Sequence, residues 1–458
     1  MKILIVTNSA RGHAIGDALL RSPQKPEPII CDTSVDPGTT AIAKEVYPVP
    51  DLNDFAQIID IAKKTKPDFA IIGPEDPICG GLVDRLMSIG VHCVAPKKAL
   101  ARVEASKEFT RKLIKKYDIK HANPKFRAFE FSSMAQMKQL QADITRYIEH
   151  DLEGSYVVKY DGLKGGKGVK VSGDHLQTTN LGVKYALECI EQCGSVVIEE
   201  KLIGVEFSLL SFVSGDKVVD MPACQDHKRA FAGDTGPNTG GMGTYNDANH
   251  SLPFLSKEDM AQASEINRQV AAALMKECGE PYKGILYGGF IAVKNGVRVI
   301  EYNCRFGDPE ALSILPLLKS DFVKVCQSII DGTLSPEMVE FENKAAVCKY
   351  IVPKSYPDKK EEKGKTCTIP ADIPENVRMY FGDVTKGKDP QTYVLGTSRA
   401  IGVVGIGENL DIAEQASEKV CEQISGPVRF RYDIATVELT EKRIDTMAKL
   451  RRDNSTGG

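Results

Sequence analysis

The stretch RVIEYNCRFGDPE, residues Arg298 to Glu310, determines how the rest of the chain is interpreted. It begins like a β-strand, but Glu301, Asn303 and Arg305 occupy every second position. Because the side chains of a strand alternate between its two faces, these three polar groups are predicted to share one face. A carboxylate and an amide oxygen suit a hard cation such as Mg²⁺ or Mn²⁺ held together with phosphate oxygens. A guanidinium beside them can balance the charge of a transferring phosphoryl group, so the stretch predicts a magnesium–ATP site.

A glycine-rich loop, VVKYDGLKGGKGVKV at residues 157–171, lies between two predicted strands. Glycine lets the backbone N–H groups approach phosphates closely, and lysine adds a mobile positive charge. The spacing differs from the GxxxxGK[ST] and GxGxxG patterns, and no helix follows the loop. We interpret it as a hairpin flap that can close over a nucleotide, with an ordinary flexible turn as the alternative.

Charged residues near this loop complete a predicted nucleotide site. Lys159 lies on the strand that enters the loop, and Lys107 opens the segment that precedes it. In VVIEEKLIGVEF, residues 196–207, a strand ends in Glu-Glu-Lys-Leu and resumes after a glycine. Such a link can present backbone groups to an adenine ring, and Glu206 can accept hydrogen bonds from ribose hydroxyls. For Glu199 or Glu206 alone, a solvated surface position is the alternative.

A third polar stretch, CQDHKRAFAGDTGPNTGGMGTY, spans residues 224–245. Its first half is too polar for a core, and residues Thr235 to Gly243 are rich enough in glycine to predict a lack of regular structure. We interpret the stretch as a long loop that wraps a small anionic or amino substrate. The alternative, a disordered linker, is disfavoured because apolar strands flank it.

The 458 residues suggest about three domains of roughly 150 residues each. Short apolar strands alternate with helix candidates over residues 1–100, which predicts a parallel, Rossmann-like α/β domain. The loops Asn8 to His13 and Gly73 to Pro77 are then expected at the carboxyl edge of its sheet, where such sheets bind ligands. Residues 101–340 predict a mixed α+β domain with hairpins, and residues 341–440 predict a small carboxy-terminal α+β domain.

Composition excludes several classes of protein. The net charge of −3 gives no global basic field, so no nucleic-acid partner is expected. No apolar run is long enough for a membrane span, and the first residues predict a buried strand in place of a signal peptide. The twelve cysteines lack metal-site spacing and are interpreted as free thiols in a reducing compartment. The expected location is therefore the cytoplasm.

These stretches together resemble the ATP-grasp ligases, and within them the glycinamide ribonucleotide synthetase family. The most specific strings are QDHKR…GDTGPNTGGMG and NCRFGDPE, while IIGPEDP, EASKEFT, VVKYDGLKGGKGV and VVIEEKL are similar to the family's strings in the same order. The resemblance implies a central ATP-grasp domain with a flap subdomain at about residues 121–200. It also implies a ligase of purine biosynthesis that uses ATP, with Mg²⁺ or Mn²⁺, to join glycine to 5-phosphoribosylamine through glycyl phosphate.

The resemblance also assigns residues to the site. The metal ligands are Glu301 and Asn303. The catalytic residues are Arg305, Asp226 and Lys228, lining the glycine site with the loop Thr235 to Gly243. The ATP contacts are Lys107, Lys159, Gly165, Gly166, Lys167, Gly168, Glu199, Glu200, Leu202 and Glu206. Asp308 and Glu310 either brace the loop or contact substrate, and a monomer or weak homo-oligomer is expected.

The chain departs from the family pattern at its amino end. TNSARGH keeps Arg11 and His13, but it has Gly12 where the family has an acid and lacks the earlier glycines. GPEDP has Asp76 where the family commonly has a small residue. Because the resemblance places both loops at the phosphoribosylamine site, two alternatives stay open. One is an ATP-grasp ligase or carboxylase for another small amine or carboxylate, and the other is a nucleotide-binding protein without catalysis.

Overall fold

The computed structural model describes residues 1–131, 133–165 and 167–452. Its amino-terminal part is a five-stranded, fully parallel sheet in the order β3-β2-β1-β4-β5. Short apolar strands alternate with helices here, and this alternation builds a parallel sheet. The strands are β1 (Lys2–Thr7), β2 (Glu27–Asp32), β3 (Glu45–Pro48), β4 (Phe69–Ile72) and β5 (His92–Val94). The helices are α1 (Ala10–Leu20), α2 (Pro37–Ile42), α3 (Phe55–Thr65), α4 (Glu75–Gly80) and α5 (Leu82–Ser88).

Two helices, α6 (Lys98–Ala105) and α7 (Lys107–Lys116), lead into a small antiparallel sheet of order β6-β9-β7-β8. This sheet and its helices have a hydrophobic core of their own, separate from the main core. The unit is therefore packed around its own core. Its elements are β6 (Phe126–Glu130), α8 (Met137–Arg146), a π-helix (Tyr147–Asp151), β7 (Tyr156–Tyr160), β8 (Val169–Val171), α9 (Thr179–Cys193) and β9 (Ser195–Glu200).

The central part contains a second antiparallel sheet, in the order β11-β10-β16-β17, against which α10 packs. A separate hairpin, β13–β14, projects from it. The strands are β10 (Val205–Ser214), β11 (Lys217–Asp220), β12 (Gln225–Asp226), β13 (Arg229–Phe231), β14 (Thr235–Asn238), β15 (Gly243–Asn246), β16 (Lys283–Val293) and β17 (Gly296–Asn303). The helices are α10 (Lys257–Cys278), α11 (Glu310–Ile314) and α12 (Phe322–Asp331).

The carboxy-terminal part shares a sheet with the central part. The sheet has the order β12-β15-β18-β23-β20, with β24 beside β18, so two of its strands come from residues 225–246. The predicted boundary at residue 340 thus divides strands of one sheet. A three-stranded sheet, β19-β22-β21, adjoins it. The elements are β18 (Ala345–Pro353), β19 (Thr366–Thr368), β20 (Val377–Phe381), β21 (Val384–Lys386), β22 (Thr392–Leu395), β23 (Ile401–Gly407), α13 (Leu410–Gln423), β24 (Val428–Arg429) and α14 (Val437–Arg452).

The predicted fold class is confirmed, but three predicted loops contain more regular structure than expected. Helix α1 already begins at Ala10 and α4 at Glu75, so only the first two residues of each amino-terminal loop lie outside a helix. The expected lack of structure over residues Thr235 to Gly243 is wrong for its first half. Residues 235–238 form β14 because they pair with β13 across a turn in which Gly233 and Asp234 adopt positive φ. Within the described part of the chain, no helix is long and apolar enough to cross a membrane.

Candidate active site

Strand β17 contains a β-bulge, and this bulge sets the orientation of the site residues. Glu301 and Val299 pair with consecutive residues of β16, which leaves Ile300 as an extra residue. The extra residue shifts the alternation of side chains, so that Val299 and Tyr302 both point into the core. Glu301 and Asn303 remain on the partly exposed face, as the sequence predicts.

The bulge releases the carbonyl of Ile300, which becomes the centre of a buried cluster of charges. Lys159 Nζ and Arg111 Nη2 each donate a hydrogen bond to this oxygen at 2.8 Å. Glu199 bridges the same two cations: one carboxylate oxygen lies 2.8 Å from Lys159 Nζ and the other 2.6 Å from Arg111 Nε. Burial acts to raise the pKa of Glu199, but Arg111 and Lys159 outweigh it and lower that pKa. The cluster therefore holds the Lys159 ammonium in a fixed position.

Glu301 lies where two clefts meet. One cleft is lined by Glu301 and by Lys107 from the start of α7. The other is lined by Glu301 together with three residues assigned to the site from the sequence: Glu206, Asp226 and Lys228. The structure thus brings predicted nucleotide, metal and substrate residues around one carboxylate.

The charge of Glu301 is stabilised by surrounding cations. Lys228 Nζ lies 3.8 Å from Glu301 Oε1. Burial acts to raise the pKa of Glu301, but the positive charges of Lys228, Lys107 and Lys159 outweigh it and lower that pKa. Burial also acts to lower the pKa of Lys228, yet Glu301 above all raises it. Both groups are therefore charged at neutral pH.

Arg305 lies beyond the end of β17, so the prediction that it shares the strand face is wrong in that detail. The strand ends at Asn303 because the next residue, Cys304, turns its N–H to Glu104 Oε2 at 2.7 Å. Arg305 still reaches back, with Nη2 3.4 Å from Asn303 Oδ1. Its guanidinium also lies 3.1 Å from Glu75 and 3.4 Å from Glu104. Arg305 therefore connects the metal strand to the amino-terminal domain.

The donor set of Glu301 and Asn303 fits a hard divalent cation. One contributes an ionised carboxylate and the other an amide oxygen, and both lie on the partly exposed face of β17. Among the residues that the structure describes, no group of three or more His, Cys, Asp or Glu side chains could hold a metal ion. A cation at this strand would therefore need further oxygen ligands besides those of Glu301 and Asn303.

The root of the glycine-rich loop is fixed to α7. Asp161 accepts hydrogen bonds from Ser106 Oγ at 3.0 and 3.1 Å and from Ser195 Oγ at 2.9 Å. A backbone N–H in the first turn of α7 donates to the same carboxylate at 3.1 Å. Lys107 Nζ donates to the carbonyl of Gly162 at 3.1 Å. The loop is thus attached beside a predicted ATP contact.

The tip of the same loop is open to solvent. Gly165 and Lys167 are exposed, and Gly165 has a φ of +53° that favours glycine. Gly168 is buried, and it packs closely: a Cβ there would lie 3.0 Å from Tyr160 Cβ. Gly166, also predicted to contact ATP, lies outside the described residues. A fixed root and an exposed tip are the features expected of a flap.

The link between β9 and β10 runs along the edge of the second cleft. Glu200 ends β9 and accepts a hydrogen bond from a backbone N–H at 2.7 Å. Leu202 is partly buried in the link, and Glu206 is exposed at its far end. The link packs tightly onto β16, because a Cβ on Gly204 would lie 1.8 Å from the carbonyl oxygen of Ala292.

Asp226 and Glu310 form a second acidic group beside the cleft. Asp226 Oδ1 is buried without a hydrogen-bond partner among the described residues. Burial and the charge of Glu310 raise the pKa of Asp226 well above its usual value, while Lys228 acts to lower it. Glu310 accepts a hydrogen bond from the hydroxyl of Tyr287 at 2.9 Å. An unpartnered carboxyl oxygen beside Lys228 suits an incoming amino group.

Asp308 braces the end of the loop that leads into β15. Its carboxylate accepts a hydrogen bond from Tyr350 OH at 2.6 Å and lies 3.2 Å from Arg399 Nη1. The same Arg399 nitrogen donates to the carbonyls of Gly240 and Gly241 at 2.8 and 3.2 Å. Of the two roles left open by the sequence, bracing is the one these contacts favour.

The amino-terminal loop contacts the turn that follows the metal strand. Arg11 Nη1 donates to the carbonyl of Phe306 at 2.7 Å. His13 Nδ1 accepts a hydrogen bond from the backbone of β20 at 3.1 Å. A Cβ on Gly12 would lie 2.2 Å from Thr7 Oγ1. The close packing of β1 against α1 therefore leaves no room here for the acidic side chain of the family pattern unless Thr7 shifts.

Four residues of the site were missed by sequence reasoning: Glu104, Arg111, Tyr287 and Arg399. Two of them had a signal: Glu104 opens the string EASKEFT, and Arg111 lies four residues after Lys107 and so on the same helix face. Tyr287 and Arg399 lie outside the quoted strings, and only the fold brings them to the site.

The comparisons with known proteins agree with this geometry. Family models describing the phosphoribosylglycinamide synthetase N domain, ATP-grasp domain and C domain match residues 1–104, 105–311 and 346–437. The phosphoribosylamine–glycine ligase of Methanocaldococcus jannaschii is 41% identical over 455 residues, covering 99% of this chain and 100% of the relative.

Solved structures give the same result. The crystal structure of the Thermotoga maritima phosphoribosylamine–glycine ligase is similar with a TM-score of 0.76 and 27% identity, over 94% of this chain and all of that one. The biotin carboxylase of Campylobacter jejuni, solved as a β,γ-ATP complex, shares the fold at a TM-score of 0.71 and 12% identity, over 99% and 96% of the two chains.

The fold and the charged clefts around Glu301 define an ATP-grasp enzyme. The antiparallel flap subdomain and the central sheet with the polar end of β17 are the parts on which this assignment rests. With all three domain models matched in order, the chain belongs to the phosphoribosylglycinamide synthetase family, which confirms the resemblance found in the sequence.

Proposed function

We propose that the chain joins glycine to 5-phosphoribosylamine in de novo purine biosynthesis. ATP phosphorylates the glycine carboxylate to glycyl phosphate, and the amine then displaces phosphate, so that glycinamide ribonucleotide, ADP and phosphate leave. The single observation that carries the proposal is the meeting of two clefts at Glu301, one lined by Lys107 and the other by Asp226 and Lys228. A nucleotide cleft and a substrate cleft that share one carboxylate suit phosphoryl transfer between them.

The cations around Glu301 would bind the phosphates of ATP. Lys107 and Lys159 contribute two ammonium groups beside the predicted metal strand, and the exposed flap would close over them. Glu301 and Asn303 would hold Mg²⁺ or Mn²⁺, which supplies charge neutralisation for the transferring phosphoryl group when bound. Closure of the flap would keep water away from glycyl phosphate, which hydrolyses readily.

Glu199 is proposed to position Lys159, in place of the direct ATP contact expected from the sequence. Both of its carboxylate oxygens are already bonded to cations within the protein. Arg111 completes this arrangement by donating to both Glu199 and the carbonyl of Ile300. The Lys159 ammonium therefore needs little reorganisation when a phosphate binds.

Asp226 and Lys228 are proposed to bind glycine. The ammonium of Lys228 suits the glycine carboxylate, and the unpartnered oxygen of Asp226 suits its amino group. An amino group entering as a cation would stabilise the ionised form of Asp226, whose pKa is raised in the free protein. Arg305 would then face the phosphoryl group from the side of Asn303.

The test is a measurement of ADP formation with glycine and a panel of amines. ADP should appear only when glycine and 5-phosphoribosylamine are both present, with glycinamide ribonucleotide as product. Turnover with a different amine, and none with 5-phosphoribosylamine, would establish the alternative ATP-grasp ligase. We also propose that the enzyme is cytoplasmic and that it is a monomer or weak homo-oligomer. Sedimentation at micromolar concentration tests the oligomeric state.

A further inference from the structure

The carboxy-terminal segment of the chain covers the hairpin β13–β14, and the assignments above give this segment no role. We call residues 429–443, from the end of β24 into α14, the C-terminal latch. The matched C-domain model ends at residue 437, so nearly all of α14 lies beyond it. The latch is nevertheless bonded to the hairpin along most of its length.

The first strand of the hairpin is held through its backbone. Arg429 Nη1 donates to the carbonyl of Ala230 at 2.7 Å, and Arg431 Nη1 donates to the carbonyl of Arg229 at 3.1 Å. At the turn, the N–H of Gly233 donates to Asp433 Oδ2 at 2.9 Å. Backbone contacts of this kind fix the path of the strand whatever its side chains are.

The turn of the hairpin carries a partly buried ion-pair network. Asp234 is the turn residue with positive φ, and its carboxylate lies 3.1 Å from Arg431 Nη1. Its other oxygen accepts a close hydrogen bond from Arg443 on α14. Arg431 also pairs with Asp433 at 2.6 Å and is only 1% exposed. Two arginines and two carboxylates thus join the turn to the latch with balanced charge.

The base of the hairpin adjoins the substrate cleft. Lys228 immediately precedes β13, and its carbonyl accepts hydrogen bonds from Thr239 N and Oγ1 at 2.7 and 2.9 Å. The neighbouring side chain of His227 is 2% exposed and tilts against Tyr245, while Asp226 and Lys228 line the cleft. One end of the hairpin therefore bears the substrate residues and the other end is held by the latch.

Helix α14 is itself fixed to the central domain. Near its end, Arg451 Nη2 donates to both carboxylate oxygens of Asp259 at 2.8 Å. Asp259 belongs to the capping box of α10, a helix that packs against the central sheet. Helix α14 thus connects α10 of the central part, through Arg451, to the turn of the hairpin, through Arg443.

We infer that Arg431 and Arg443, acting through Asp234, are positioning residues that set the place of Lys228 in the carboxylate-binding cleft. The inference rests on the proposed function, because glycine is the carboxylate that the cleft would take. Without the latch, the hairpin would keep its strand pairing, but the whole hairpin, with Lys228 at its base, would be freer to move as a unit. Lys228 would then occupy a wider range of positions and bind a carboxylate less tightly.

The experiment compares Arg443→Ala, Arg443→Lys and Asp234→Asn with the control Lys442→Ala, an exposed neighbour on the same helix. Arg443→Ala and Asp234→Asn should raise the KM for glycine about tenfold, the effect of losing one charge-assisted hydrogen bond. The KM for ATP should change less than about twofold, since the nucleotide cleft lies on the other side of Glu301. Arg443→Lys should restore most of the affinity for glycine, and Lys442→Ala should match the unchanged protein.

A second measurement separates this inference from the proposed function. Amide hydrogen exchange over residues 228–238 should be faster in Arg443→Ala and Asp234→Asn than in Lys442→Ala, with no substrate present. If the enzyme proves inactive with glycine, the proposed function fails, and the exchange result alone decides the role of the latch. Unchanged exchange over 228–238, or equal increases in the KM values for glycine and ATP, would overturn the inference. Asp234→Asn keeps the test available if Arg443→Ala does not fold, because asparagine tolerates positive φ.

Discussion

A single backbone carbonyl organises the cations of the candidate site. Because Ile300 is the extra residue of a bulge, its oxygen is free to accept hydrogen bonds from Lys159 and Arg111. The strand pattern of the sequence predicted that Glu301 and Asn303 share the partly exposed face, but it could not predict the bulge. Period-two alternation would have placed Val299 on the same face as Glu301, whereas the structure buries Val299 in the core.

Replacing Glu301 with alanine tests the predicted metal strand. The change removes a charged ligand and leaves Lys228 without its carboxylate partner. We expect kcat to fall by about 10²–10⁴, equivalent to roughly 3–5 kcal/mol of transition-state stabilisation, while the protein stays folded. Glu265→Ala, at a partly exposed position on α10, is the control. Near-normal turnover with unchanged magnesium dependence would show that Glu301 is an ordinary strand residue.

Glu199→Gln separates a positioning role from a direct contact with ATP. Removing this charge leaves Arg111 and Lys159 buried with no carboxylate between them, and such losses cost about 3–5 kcal/mol. We therefore expect a lower midpoint of urea unfolding together with weaker ATP binding. If Glu199 only contacts ATP, the midpoint should stay within error of the unchanged protein while ATP affinity falls.

The charge cluster also shows which part of the site the sequence could not supply. Lys159 and Glu199 were selected because each lies in a recognisable string, and the structure does place them side by side. Arg111 was passed over, although it pairs with a residue 88 positions away. Ion pairs between residues far apart in sequence leave no local pattern. Only the folded chain therefore shows that Glu199 is already paired with Arg111 and Lys159.

At the scale of elements, the flap between β7 and β8 is the part whose motion can be tested. Its root is bonded through Asp161, whereas Lys164 and Lys167 at the tip are exposed. Trypsin should cut the free protein near these lysines, and magnesium–ATP should suppress the cleavage by closing the flap. Equal digestion with and without nucleotide would mean that the loop is only a surface turn.

Gly165→Pro tests the same element by changing its backbone. The φ of Gly165 is +53°, which proline cannot adopt. We expect kcat to fall much more than the melting temperature, because the tip is exposed and contributes little to the core. Full activity in this variant would contradict a role for the flap in covering the phosphates.

Secondary structure was predictable where the local sequence has a clear apolar pattern. It was missed where a strand forms only because it pairs with another segment. The parallel amino-terminal sheet, with its short buried strands alternating with helices, lies where the sequence predicted it. Residues 235–238, with the sequence TGPN, have no strand pattern, yet they form β14 because they pair with β13. Their strand conformation comes from neighbours that local sequence does not reveal.

At the scale of the whole molecule, Glu75 couples the amino-terminal domain to the metal strand. Burial acts to raise the pKa of Glu75, but Arg305 and then Arg11 outweigh it and lower that pKa to about 2. A folded-state pKa below the ordinary value of 4.5 stabilises the fold above about pH 4.5, and this stability is lost as pH falls toward 2.

Glu75→Gln should therefore lower the free energy of unfolding at neutral pH by up to about 3 kcal/mol. Denaturant titrations at several pH values give the check. The difference between the two proteins should shrink steadily from pH 5 to pH 2. A difference that stays constant over this range would show that the carboxylate charge of Glu75 does not stabilise the folded state.

The predicted fold class is confirmed, but the predicted boundary at residue 340 overlooked a sheet shared by the central and carboxy-terminal parts. Strands β12 and β15 are two and four residues long, too short to give a pattern of their own. β12 pairs with β15, and the other partner of β15, strand β18, begins about a hundred residues later along the chain. A boundary drawn at residue 340 from the local pattern of strands and helices could not reveal a sheet whose strands come from both sides of it.

The shared sheet has a consequence for how the chain is made on the ribosome. When β15 leaves the exit tunnel, β18 has not yet been translated, so one edge of the nascent sheet has no partner. At about 5–20 residues per second, the intervening chain takes on the order of ten seconds to appear. Over that interval the unpaired edge is open to other nascent chains on the same message. Slow codons between β15 and β18 should therefore lower the soluble yield, and a holdase chaperone that shields the edge should restore it.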